Sequence, residues 1–72
     1  MNPDIVCRLS RFEQRCPAAA GWELSTQCIL MDNDDIIFKA IIKSPQGDVL
    51  ATAHSTIEER AIDRVLMVAG ID

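Results

Sequence analysis

A glycine-rich phosphate loop is excluded at the outset. The three glycines stand singly at positions 21, 47 and 70, whereas cradling a phosphate takes several glycines within one short loop. There is one histidine, His54, and no serine, cysteine or carboxylate near it at a spacing that marks a nucleophile and its base. The chain therefore reads as not an enzyme, with no catalytic residue assigned and no cofactor expected. The cysteines at 7, 16 and 28 are odd in number and form no Cys-x-x-Cys pair, which fits free thiols in a reducing compartment better than a disulfide scaffold. Cys7 and Cys16 are nine residues apart on one expected helix and face about 180° from each other, so no metal site is expected from them. The run Asp32-Asn33-Asp34-Asp35 lacks the central glycine and closing glutamate of a calcium loop. No apolar run approaches the roughly 18 residues of a spanning helix. Met1-Asn2-Pro3-Asp4 has neither the basic nor the apolar region of a secretion signal. A cytoplasmic protein with no membrane partner is the expectation. Basic residues are also few, 7 against 11 acids for a net charge of −4, so nucleic acid is admitted only through a local basic patch.

What the chain does have is one domain's worth of ordinary globular sequence, with 49% hydrophobic and 25% charged residues over 72 positions. That composition argues against disorder. The length is near the lower limit for a single core, where burial barely offsets the conformational entropy of folding, so a homodimer is a natural source of extra stability.

The spacing predicts five elements in one domain. Asn2 as cap, Pro3 at the first helical position and Asp4 in the first turn open a helix. Ile5, Leu9, Phe12 and Cys16 form its apolar stripe, and Pro17 ends it. Ala18 to Gly21 is a connector. From Trp22 the period becomes two, with Trp22, Leu24, Thr26, Cys28 and Leu30 on one face of a strand. The aspartate run is a turn, Ile36 to Ser44 a second strand, Pro45-Gln46-Gly47-Asp48 a turn, and Val49 to Ser55 a third strand. Ser55 or Thr56 with Glu58 or Glu59 reads as a capping box for a last helix that closes at Gly70. Its seam is Ile57, Ala61, Val65 and Val68, widened by Ile62, Leu66 and Ala69. The expected fold is a two-layer α+β sandwich, α-β-β-β-α, with both helices on one face of a three-stranded antiparallel sheet.

Three surfaces then compete for function. Arg8, Arg11 and Arg15 recur along the first helix beside its apolar seam, in an arrangement suited to gripping phosphates or carboxylates. Glu58, Glu59 and Asp63 form an acidic patch on the last helix, suited to a basic partner or simply to the helix dipole. The open sheet face is expected to carry Ile29, Ile37, Lys39, Ile41, Lys43, Thr52 and His54, an apolar patch edged by cations that marks an interface. Phe38, Ala40 and Ile42 are expected beneath the helices.

The helix, three strands, helix order over nearly the whole chain resembles the double-stranded RNA-binding domain. That family holds phosphates with a basic cluster at the start of its last helix, where this chain has Thr56-Ile57-Glu58-Glu59-Arg60, and reads the minor groove from the loop matching residues 32–35. The helix-one arginines are the match in kind. Separately, Ile37 to Thr52, followed by Glu59-Arg60-Ala61-Ile62-Asp63-Arg64-Val65-Leu66 and Ala69-Gly70-Ile71, looks like the strand, turn, strand and helix of small phage and mobile-element proteins related to single-strand annealing factors. The combined expectation is a noncatalytic interaction module acting on a protein partner, homodimeric through Ile29, Ile37, Ile41 and His54, in a mobile-element setting. The alternative is direct nucleic-acid binding through Arg8, Arg11 and Arg15 with Lys39 and Lys43.

Overall fold

The computed structural model describes residues 3–30 and 35–71. The elements follow in the expected order: helix α1 (Pro3–Arg15), a 3₁₀ turn (Ala18–Ala20), strands β1 (Glu23–Leu30), β2 (Ile36–Lys43) and β3 (Val49–Ser55), and helix α2 (Glu58–Val68). The proposed cap Asn2 and the turn at 32–34 lie outside the described residues.

The stripe of α1 works as its spacing implies, with Ile5 and Phe12 each 6% exposed and Leu9 and Cys16 half-buried. The helix ends at Arg15, and Pro17, in extended geometry, follows after Cys16. The connector turns back at Gly21, whose φ of +103° suits glycine and whose missing Cβ would stand 3.1 Å from Cβ of Pro45.

The sheet is an antiparallel meander in the order β1-β2-β3. Leu24 lies opposite Ile42, Thr26 opposite Ala40 and Cys28 opposite Phe38, while Ala51 and Ala53 lie opposite Ile42 and Ala40. These residues share the face beneath the helices, where α2 lies over β2 and β3 and α1 packs beside α2. Ile42, Ala40, Ala61, Val65 and Leu66 are fully buried there, and Phe12, Ala51, Ala53 and Ile71 complete the cluster. Small alanines on β3 let α2 sit close to the sheet.

Helix α2 departs from expectation at its start. Its N-cap is Ile57, with no side-chain cap bond, so the capping box does not form. The Ser55 hydroxyl is used locally, accepting from the Ile57 N–H at 3.3 Å, and Ser55 itself is still held in β3 opposite Phe38; the helix therefore begins later. The seam shifts accordingly: Ile57 and Val68 are 47% and 66% exposed, while Ala61, Val65 and Leu66 are buried. The C-terminus closes as expected. Gly70, at φ +80°, donates to the Met67 carbonyl at 3.0 Å, and Ile71 donates to the Leu66 carbonyl at 2.9 Å. That pair of bonds is a Schellman motif, and it folds Ile71, 4% exposed, back into the core.

Candidate functional site

The strand register fixes what the open sheet face displays. Ile29 lies opposite Ile37, Gln27 opposite Lys39, Ser25 opposite Ile41 and Glu23 opposite Lys43; Thr52 lies opposite Ile41 and His54 opposite Lys39. The set expected on that face is therefore together on it. The patch is less apolar than its sequence suggests, because Ile41, at its centre, is only 8% exposed. Since Ile41 is absent from the core cluster beneath the helices, its cover comes from its own face, where Lys39 and Lys43 are half-buried neighbours. Lysine side chains lay their aliphatic stems over apolar surface in this way and keep their charge in water. Ile29 and Ile37 are likewise half-buried beside them.

The helix-one arginines are arranged differently from a free stripe. Arg8 forms an ion pair with Asp63 of α2, both side chains being about one-quarter exposed at 27% and 24%. Arg15 reaches the Gly70 carbonyl at 3.4 Å. Arg8 and Arg15 thus both turn toward α2, each to a group 55 positions further along the chain, and the two helices run parallel. Arg11 is exposed. The acidic patch is divided by the same contact, since Asp63 faces Arg8 while Glu58 is exposed. A mixed-charge pocket of ≈ 510 Å³ lies at this junction, with Asp4, Arg8, Glu59, Arg60 and Asp63 in its wall.

Sequence reasoning missed a second cationic feature. Ile37, His54, Ser55, Thr56, Arg60 and Arg64 line an open notch of ≈ 330 Å³ where β3 meets the flank of α2. Among the described residues no carboxylate lines it. Arg64 donates to the His54 carbonyl at 2.8 Å, which leaves further N–H donors on its guanidinium. Arg60 and Arg64 are four apart, so they project from the same helix flank; that spacing was visible in the sequence, but their meeting with His54 depends on how α2 crosses β3. Lys39 lies beside His54 on the sheet, so the cationic surface runs from the notch onto the open face.

Of the cysteines, Cys7 and Cys28 are exposed, Cys16 is half-buried and all are free thiols. Among the described residues no helix is long and apolar enough to cross a membrane. The element order is compatible with the topology of a double-stranded RNA-binding domain. Comparison of the chain with protein-family models, curated proteins and solved structures gives no match in any of the three.

Proposed function

We propose that this protein is a noncatalytic interaction module whose working surface is the open sheet face, and that its partner is a protein segment combining apolar and acidic side chains. The observation that carries the reading is the joint placement of half-buried Ile29 and Ile37 with Lys39, Lys43 and His54 on one face. Apolar contact would supply affinity there, and the cations would steer an acidic partner and fix its register. Glu23 stands opposite Lys43 at one end of the face, so the charge available to a partner is concentrated at Lys39.

The test is capture of partners on the full chain bearing an affinity tag, comparing wild type with Ile37→Asp and Lys39→Glu. The expected result is a protein retained by wild type, lost with both variants, and retained by Glu13→Lys on the outer face of α1. Equal capture by all four, with circular dichroism showing the variants folded, refutes the reading.

Direct binding of nucleic acid is a second reading, favoured by the notch around Arg60 and Arg64, whose described lining holds no carboxylate. A salt titration with single- and double-stranded oligonucleotides tests it: each phosphate contact contributes about 0.7–0.9 to the slope of log affinity against log salt. Arg60→Gln with Arg64→Gln is expected to flatten that slope, and the absence of binding at low salt discards the reading. The proposal extends to a homodimer and to an accessory role in a mobile element. The mobile-element setting is supported by the C-terminal sequence pattern alone, and genes of other kinds surrounding its coding sequence would argue against it.

A further inference from the structure

We infer that the outer edge of β1 pairs with the same edge of a second copy, joining two sheets into one six-stranded antiparallel sheet. A three-stranded meander has two edges, and this one treats them differently. At β3 the ladder is interrupted by a register shift between Ile42 and Lys43, and the Arg64 guanidinium covers the His54 carbonyl at 2.8 Å. Bulges and charged side chains are the usual means by which a strand edge is closed to other strands. Strand β1 has neither. Its ladder with β2 runs from Glu23 to Leu30 without a break, it contains no proline or lysine, and its only charge is Glu23 at its first position.

Which backbone groups β1 presents follows from the hairpin. The Ser44 N–H donates to the Asp48 carbonyl at 2.8 Å, so Ser44 points its backbone toward β3. Backbone direction alternates along a strand, which turns Lys43, Ile41, Lys39 and Ile37 toward β1, where they face Glu23, Ser25, Gln27 and Ile29. The outward groups of β1 therefore belong to Leu24, Thr26, Cys28 and Leu30. The exposed His54 carbonyl at the far edge obeys the same alternation, because His54 lies opposite Lys39. No described residue bonds those outward groups.

A second copy fits because the strand complements itself. A two-fold axis through Gln27, perpendicular to the sheet, sets Leu24 against Leu30 and Thr26 against Cys28 on the helix side, and Ser25 against Ile29 on the open side. Every outward N–H and C=O from Leu24 to Leu30 then finds a partner, apolar meets apolar on the helix side, and no charges of like sign meet. Leu30 and Ile36, opposite each other at the end of β1 and β2, are 70% and 46% exposed, and the second copy would stand over Leu30. The open face itself is the poorer place for self-association, since it carries both Lys39 and Lys43 and a face-to-face pairing would bring cations of the two copies near one another. The edge dimer leaves that face free, so it stands or falls separately from the partner reading above.

The test uses the full chain. Light scattering across a concentration series is expected to show the mass doubling for wild type. Thr26→Pro removes one outward N–H without touching the β1–β2 ladder, as proline at an edge position does, and is expected to be a folded monomer. Ile37→Glu on the open face is expected to remain dimeric. Gln27→Cys would place two thiols on the axis at a Cα separation of about 4.5 Å, within the range of roughly 4.4–6.8 Å that a disulfide spans. Mild oxidation is expected to give a 27-to-27 link, identified by peptide mass, that forms whether or not Thr26→Pro proves stable enough to measure. A wild type that stays monomeric at the highest concentration, a dimer lost with Ile37→Glu and kept with Thr26→Pro, or a Cys28-to-Cys28 link in wild type instead of the 27-to-27 link overturns the inference.

Discussion

Ile41 and Ile42 are the same residue type, adjacent in the central strand, and differ only in which side of the sheet they enter. Ile42 is 0% exposed and Ile41 is 8% exposed, so burial alone predicts nearly equal losses on truncation to alanine. Packing predicts otherwise. Ile42 lies under α2 in a cluster with Val65, Leu66 and Ala61, where removing most of the side chain costs the transfer term plus a cavity that two layers of secondary structure hold open. Ile42→Ala should therefore cost about 3–4 kcal/mol, inside the range for buried aliphatic truncations. The cover of Ile41 includes lysine stems, which move aside and let water in, so Ile41→Ala should cost only about 1–2 kcal/mol. Total stability for a domain of this size is roughly 4–11 kcal/mol. Urea unfolding followed by Trp22 fluorescence and far-ultraviolet circular dichroism reads both. With an m-value of about 1 kcal/mol/M, the midpoint should fall by about 3–4 M for Ile42→Ala, enough to unfold a chain at the lower end of that stability range, and by about 1–2 M for Ile41→Ala. Equal shifts would refute the two-sided reading of β2, and a larger shift for Ile41→Ala would invert the faces.

The Arg8–Asp63 pair joins the helices at partial exposure, so a double-mutant cycle with Arg8→Met and Asp63→Asn should give a coupling of about 0.5–1 kcal/mol; a coupling of zero would mean that this pair adds nothing to the packing of the helices. Gly70→Ala keeps ample space around the new methyl but places it at φ +80°, and should lower stability by about 1–2 kcal/mol, with Gly70→Asn costing less. Because Cys7 and Cys28 are exposed and Cys16 is half-buried, a thiol reagent should label the first two quickly and Cys16 slowly. Raising the protein concentration should slow labelling at Cys28 and leave Cys7 unchanged if β1 pairs with a second copy.

The fold was legible because each element carried its own period: the stripe of α1, the alternation in β1 and the turn residues around Gly47 are local signals, and each directs side chains to the side where the structure has them. The open-face set from Ile29 to His54 was readable for the same reason, once the strand phase was right. What the sequence did not yield depended on contacts between distant residues. The arginines at 8 and 15 look solvent-directed along a single helix and are drawn to α2 only because the helices run parallel. The covering of Ile41 depends on where lysine stems come to rest, and the notch at Arg60 and Arg64 on α2 crossing the end of β3. The capping box failed for a local reason that the pattern does not encode, the competing use of the Ser55 hydroxyl by Ile57.

Site-specific photo-cross-linking tests most directly whether the open sheet face is the working surface. A photoreactive amino acid placed at Lys39 on that face, or at Glu13 on the outer side of α1, would be activated in cells producing the full chain. Our account predicts a discrete cross-linked protein from position 39, abolished by Ile37→Asp, and none from position 13. A cross-link from position 13 with none from position 39 would contradict it.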